Sequence, residues 1–431
     1  EEYATAYKAY LNAARTEREA VTEAIAQAEA LGFVPYERGM VLEPGTKIYK
    51  SVRGKALMLA VMGRETLDHG ANIAAAHVDS PRLDLKPIPL YEKDEICLLK
   101  THYYGGIKKY QWVAIPLEIH GVVTKKDGET IEVVIGKDPE DPKFTITDLL
   151  PHLAKDQMAK HGSDIIPGEY LNLLAGSVPY AGEGTKRVML AVMSLLNDRY
   201  GITEEDFLSA ELEVVPSFEA CDIGVDRSFI GGYGQDDRVC AYAELKAIFD
   251  TETPDRTAVC VLADKEEIGS GMQSRAFETF MADLCEQQDV HLRDCFENSF
   301  CVSADVCNAY DPTFWDVSEY PNRNGARANY GVGICKFTGS RGKSGSNDAN
   351  AEFIGRLRKI MDDNNVTWQT AELGRVDVGG GGTIAYICAL YGMEVIDSGV
   401  PVLSMHAPQE IINKADLFEA VKAYRAFMIE G

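Results

Sequence analysis

The sequence predicts an α/β fold in which a mixed sheet is flanked by helices and a β-rich domain is inserted into the chain. Three observations carry this. Short apolar runs alternate with helical patterns in both terminal portions, as in a sheet covered on both faces. The middle, from Tyr91 to Phe229, has another texture, with short alternating segments separated by Gly, Asp and Pro. The length, 431 residues, is more than one core usually serves. The predicted organisation is one discontinuous α/β domain, residues 1–90 and 230–431, interrupted by a β-rich domain at 91–229.

Each element has its own pattern. Tyr3, Tyr7, Tyr10, Leu11, Ala14, Val21, Ile25 and Ala28 recur at helical spacing, which predicts one amphipathic helix closed by Gly32. The runs 56–61 and 73–76 are short and apolar and read as buried strands. Within the insertion, 113–119 and 132–135 alternate as half-buried strands do. A helix is predicted from Arg238 to Phe249, then strands at 258–262, 300–302 and 400–403. A last helix has Asp416 as its predicted N-cap and Leu417, Val421, Tyr424 and Met428 on its buried face.

Composition narrows the function classes. The formal charge of −24 would repel nucleic acid and anionic membrane surfaces, so neither is an expected partner. Every apolar run is too short to span a bilayer. The start, Glu1-Glu2-Tyr3, lacks the basic-then-apolar order of a secretion signal. The ten cysteines contain no C-x-x-C pair, and Cys240, Cys260, Cys301 and Cys388 lie inside apolar runs, where cysteine acts as a small hydrophobe. A reducing cytoplasm is the expected location.

The polar residues at the ends of the apolar runs form the most informative pattern. Residues 73–76 lead into His77-Val78-Asp79-Ser80-Pro81, and 259–262 lead into Asp264-Lys265-Glu266-Glu267. Residues 301–304 lead into Asp305, and 402–405 lead into His406. Asp236-Asp237 stands between a glycine-rich turn and a helix. Ligands of open α/β sheets collect at the carboxyl ends of strands, where these residues fall. Two histidines and several carboxylates form a donor set that suits a borderline-hard divalent ion. A single histidine before a turn is usually structural, and adjacent glutamates are usually a solvated loop. Repetition at several strand ends is what favours a metal hydrolase.

His-Val-Asp-Ser-Pro at 77–81, Gln-Asp-Asp-Arg at 235–238 and Glu-Glu-Ile-Gly-Ser at 266–270 resemble the aspartyl aminopeptidase family. So do Ser-Ala-Asp at 303–305, Gly-Gly-Gly-Thr-Ile at 380–384 and Leu-Ser-Met-His at 403–406. The resemblance runs from the first helix to the last. It implies a metallo-exopeptidase fold whose inserted β-rich domain makes a dimer contact, and a homododecameric shell. It also implies two divalent metal ions per subunit, zinc by default and cobalt or manganese as possible replacements, acting on peptides. Asp236 would bridge both ions. His77 and Asp305 would complete one site, and Glu267 and His406 the other. Glu266 would be the general base, and Asp79 would orient the His77 ring.

The family removes N-terminal Asp or Glu, which requires a cation near the substrate carboxylate. Arg341 and Lys343, in Gly339-Ser340-Arg341-Gly342-Lys343-Ser344, are the candidates, with a solvated basic loop as the plain alternative. The same segment imitates the end of a phosphate-binding loop but has Phe337 where the leading glycine belongs. Gly379–Gly382 would let backbone approach a substrate or simply pack tightly. After Gly105-Gly106 the sequence departs from the family, since Ile107-Lys108-Lys109-Tyr110-Gln111-Trp112 lacks the expected histidine. Three alternatives therefore stand beside an acidic-residue peptidase. They are a general or neutral-residue aminopeptidase, an inactive assembly or cargo-binding protein, and an amide or acyl-group hydrolase.

Overall fold

A computed structural model describes residues 1–270, 274–318 and 322–431. It divides into two compact units. The first comprises Glu1–Ser80, Ala220–Met405 and Gln409–Gly431, and the second Pro81–Glu219 with His406–Pro408.

The first unit is built on a nine-stranded mixed sheet. Its edge-to-edge order is Val34–Pro35, Lys47–Val52, Ala56–Val61, Thr257–Ala263, Ala71–His77, Phe300–Ser303, Glu394–Gly399, Val332–Cys335 and Trp368–Thr370. The four strands from Thr257–Ala263 to Glu394–Gly399 are mutually parallel. Their carboxyl ends therefore share one edge. Because strand residues alternate between faces, each strand serves two cores. Leu57, Leu59, Ala74, Ala76, Cys260 and Leu262 belong to one, with the helices Gln235–Phe249 and Lys414–Glu430. Met58, Ile73, Ala75 and Val261 belong to the other, with the helices Ser274–Gln287 and Leu292–Glu297. Near-continuous apolar strands are the expected result of burial on both faces.

Three elements differ from the sequence reading. The N-terminal stretch is two helices, Glu2–Ala13 and Glu17–Ala30. Thr16 ends the first run by starting a second, since it accepts the Glu19 N–H while the Glu19 carboxylate accepts the Thr16 N–H. Gly32 does close the second helix, donating to the Glu29 carbonyl as Phe33 donates to Ala28. At the other end, Asn413 rather than Asp416 caps the last helix by accepting the Ala415 N–H. The Asp416 carboxylate instead accepts the N–H groups of Asn329 and Gly331, both at 2.7 Å. The run 400–403 is also not one central strand. Pro401–Leu403 joins a separate five-stranded sheet with Cys221–Ile223, Phe229–Gly232, Glu410–Asn413 and Cys307–Asn308.

The second unit is a six-stranded antiparallel sheet. Its order is Thr130–Ile135, Leu117–Thr124, Ala210–Pro216, Arg82–Lys93, Ile96–Tyr104 and Asn172–Gly176. The helix Arg187–Tyr200 accompanies it. The unit starts at Pro81 rather than at 91 and ends at Glu219 rather than at 229. Arg82–Lys93 is one continuous strand, so the sheet begins before the change of texture at Tyr91. At the other boundary, Cys221–Ile223 and Phe229–Gly232 hydrogen-bond within the first unit.

Candidate active site

The shared edge of the parallel strands collects the polar residues of the first unit. Ala71–His77 ends on His77, Thr257–Ala263 leads into Glu266 and Glu267, and Phe300–Ser303 leads into Asp305. Asp236 and Asp237 open the helix Gln235–Phe249 with non-helical backbone angles. His77 is buried, with its Nε2 at 3.2 Å from Asp236, 3.7 Å from Glu266 and 4.0 Å from Asp305. Two groups have ligand atoms within 4.8 Å of one another: His77, Asp236 and Glu267, and His77, Asp237 and Asp305.

The other face of the imidazole is fixed. His77 Nδ1 lies 3.0 Å from the Asp79 carbonyl and 3.5 Å from its carboxylate. A proton held at Nδ1 leaves Nε2 as the nitrogen able to bind a metal ion. The same Asp79 carboxylate accepts the N–H groups of Glu266, at 3.1 Å, and Glu267, at 3.2 Å. One buried side chain thus couples the histidine to the loop carrying both glutamates.

The cluster is electrostatically loaded. Burial, together with the charges of Asp237 and Glu266, raises the Asp305 pKa well above the carboxylate range. Burial and the neighbouring Asp236 do the same to Asp237. For His77, burial pulls the pKa down. Its contacts with Asp236 and Asp79 and the charges of Glu266 and Asp237 more than reverse this, so the net shift is upward. Crowding buried carboxylates around one imidazole is costly unless a cation sits among them. A divalent ion is the group this donor set fits.

Sequence reasoning missed several residues that build the site. Asp237 was legible only as the neighbour of Asp236, yet its carboxylate accepts the His77 backbone N–H at 3.2 Å. Glu410, also buried, accepts the Asp236 N–H at 3.0 Å. Gly399 lies against the Asp305 backbone, where an added Cβ would sit 1.8 Å from the Asp305 carbonyl oxygen. No sequence pattern signals such a contact.

The remaining predicted residues are not members of either ligand group. His406 belongs to neither ligand group and groups with the second unit, where its Nδ1 lies 2.7 Å from the Gly106 carbonyl. That contact assigns any metal bond to Nε2, as at His77. In the segment after Gly106, Lys109–Trp112 is a short 3-10 helix with Trp112 buried and Lys108 exposed. Arg341 and Lys343 are both exposed, but Lys343 pairs with Asp348 at 3.0 Å and lies over the Phe337 ring. The two loops singled out in the sequence meet, because Gly339–Ser340 pairs with Gly380–Gly381. A Cβ on Gly380 would stand 2.6 Å from Ser340 Cα, so the approach needs glycine.

The chain is similar to known proteins in sequence and in fold. Residues 10–428 match the family described as Aminopeptidase I zinc metalloprotease (M18). A relative named probable M18 family aminopeptidase 1, from Clostridium acetobutylicum, is 50% identical over 435 residues, covering 98% of this chain and 93% of the relative. The crystal structure of an M18-family aminopeptidase from Thermotoga maritima superposes with a TM-score of 0.96 at 45% identity, covering 100% of this chain and 96% of that one. The S. cerevisiae mApe1 dodecamer has the same fold, with a TM-score of 0.79 at 19% identity, covering 98% of this chain and 95% of that one.

Proposed function

This chain belongs to the M18 family of zinc metallo-aminopeptidases, and from that premise we propose that it trims peptides from the N-terminus with two divalent metal ions. The observation that carries the proposal is the convergence of His77, Glu266 and Asp305, which follow or end parallel strands, with Asp236 at the start of the helix Gln235–Phe249. Asp236 would be the shared ligand. His77 and Asp305 would complete one site, and Glu267 and His406 the other, with zinc as the default ion and cobalt or manganese as replacements. Bound there, the ions would polarise the scissile carbonyl and lower the pKa of a water molecule.

The protein's own residues then have distinct tasks. Glu266, partly exposed and 3.7 Å from His77 Nε2, would take a proton from the attacking water and deliver it to the leaving amine as the C–N bond breaks. Asp79 orients the His77 ring and, through two backbone N–H groups, sets where Glu266 and Glu267 stand.

Two readings of the N-terminal residue are supported by different residues. A preference for Asp or Glu draws on Arg341, exposed in the loop that resembles the family's specificity loop. A general or neutral-residue enzyme is favoured by the commitment of Lys343 to Asp348. Matched Asp-, Glu-, Leu- and Ala-headed peptides, offered with zinc, cobalt or manganese, separate the readings. Cleavage of none of them would turn attention to an assembly or cargo-binding role.

The homododecamer, with the inserted domain as dimer contact, is proposed on the fold and on exposed apolar residues of the second unit, among them Leu149, Leu150, Leu153, Met158 and Leu195. Light scattering of the purified protein tests it. The described cysteines are all free, which supports a reducing, cytoplasmic setting. Among the described residues no helix is long and apolar enough to cross a membrane.

A further inference from the structure

Residues in register on neighbouring parallel strands share a sheet face. Val261, Ala75, Ser303 and Asp397 form one such row, and His77 is the next residue after Ala75 on that face. Asp397 is therefore a buried carboxylate one step below the histidine. Gly399, two residues further along the same strand, is the glycine pressed against the Asp305 carbonyl. A buried carboxylate is costly, and an apolar residue at 397 would serve the row better if packing were its only task.

What Asp397 supplies is a hydrogen bond. Its Oδ1 accepts the Thr383 hydroxyl at 2.7 Å. The Thr383 oxygen in turn accepts the Ala385 N–H at 3.3 Å, so one hydroxyl joins the sheet to the start of the helix Ala385–Ala389. Thr383 also closes the glycine run Gly379–Gly382. Consecutive glycines have no side chains to pack and little backbone preference, so such a run keeps one course only where its ends are held. One end is held by Gly379, where an added Cβ would lie 1.7 Å from the Leu373 carbonyl oxygen. The other end is held by Thr383. Between them Gly380 and Gly382 are exposed, which brings bare backbone to the side of the sheet that carries His77.

We propose that Asp397 and Thr383 are positioning residues for the reaction. Their hydrogen bond fixes the glycine run beside the histidine row, where its backbone amides hold the main chain of the peptide substrate. The inference rests on the aminopeptidase reading and adds to it two residues that act through the run rather than on the reacting atoms. The test compares metal-loaded wild type with Thr383→Val, which keeps the shape and loses the donor, and Thr383→Ser, which keeps the donor. For each protein kcat, KM and bound zinc are measured on matched Asp- and Leu-headed peptides. Backbone hydrogen exchange over residues 379–385 is followed in wild type with and without a peptide whose first amide is reduced to CH₂–NH and cannot be cleaved.

Thr383→Val should raise KM at least about tenfold, the loss expected for one hydrogen bond to a charged acceptor, with kcat and bound zinc near the wild-type values. Thr383→Ser should restore the wild-type KM. Exchange over 379–385 should slow when the uncleavable peptide binds. An unchanged KM in Thr383→Val overturns the proposal, as does a serine variant as impaired as the valine one. A fall in kcat that tracks lost zinc also overturns it, because the pair then acts on the metal donors and not on the run. If Thr383→Val fails to fold, the wild-type exchange decides, and exchange that the bound peptide leaves unaltered refutes the role of the run while leaving an aminopeptidase. If wild type cleaves none of the peptides, the aminopeptidase reading fails first and this inference with it.

Discussion

Replacing Asp79 with Asn keeps the size of the side chain and removes one of its two acceptor oxygens. In the structure each oxygen takes a different N–H, that of Glu266 at 3.1 Å and that of Glu267 at 3.2 Å. Asn can satisfy only one, and its NH₂ group then faces the other donor. The substitution also removes the negative charge 3.5 Å from His77 Nδ1. Losing a hydrogen bond to a charged acceptor costs about 1.5–3 kcal/mol, equivalent to roughly 10–150-fold in an equilibrium constant. Loss of an outer partner of a metal-ligating histidine falls in the same range, roughly 10–100-fold in metal affinity. Zinc affinity measured by competition with a chelator should therefore drop by one to two orders of magnitude in Asp79→Asn. Turnover at saturating zinc should fall as well, because the Glu266 backbone loses its anchor. Unchanged zinc affinity together with unchanged turnover would refute the claim that Asp79 ties the histidine to the glutamate loop.

Two further outcomes are expected from the same geometry. Burial lifts the Asp397 carboxyl to about 6, despite its hydrogen bond from Thr383 at 2.7 Å. The folded metal-free chain holds that proton longer than the unfolded chain does. The group's contribution, about 3 kcal/mol, is full below the ordinary carboxylate pKa near 4 and is lost as pH rises through about 6. Asp397→Asn should flatten this part of the stability-versus-pH curve in urea melts of metal-free protein, and an unaltered slope would contradict the assignment. Gly399→Ala places a methyl group 1.8 Å from the Asp305 carbonyl oxygen. It should cost about 1–3 kcal/mol in thermal or denaturant melts and weaken zinc binding through the displaced Asp305. A wild-type melt with wild-type zinc affinity would argue against it.

Much of this architecture was legible because burial on both faces leaves a plain trace. The runs 56–61, 73–76, 258–262 and 300–302 are strands of the central sheet, and the polar residues after three of them meet at its shared edge. Periodicity could not divide the N-terminal helix, because Thr16 interrupts the backbone without interrupting the apolar stripe. It also could not assign 401–403 to a second sheet, since strand pairing is a long-range choice invisible in a short apolar run. Asp237 and Glu410 escaped for a related reason. Both act through backbone N–H groups of residues distant in sequence or masked by a more conspicuous neighbour. Lys343 shows the converse, a cation whose partner Asp348 lies five residues on and is signalled by no pattern in the sequence.

The central claim is that a metal cluster around His77 works with Glu266 as the base. Its most direct test measures peptide turnover and bound metal together in wild type and in Glu266→Gln. The account predicts two zinc ions per chain in both proteins and a loss of turnover of roughly 10²–10⁴-fold in the variant. Turnover within a few-fold of wild type would contradict the role of Glu266, and a wild type that turns over peptides with no bound metal would contradict the metal centre itself.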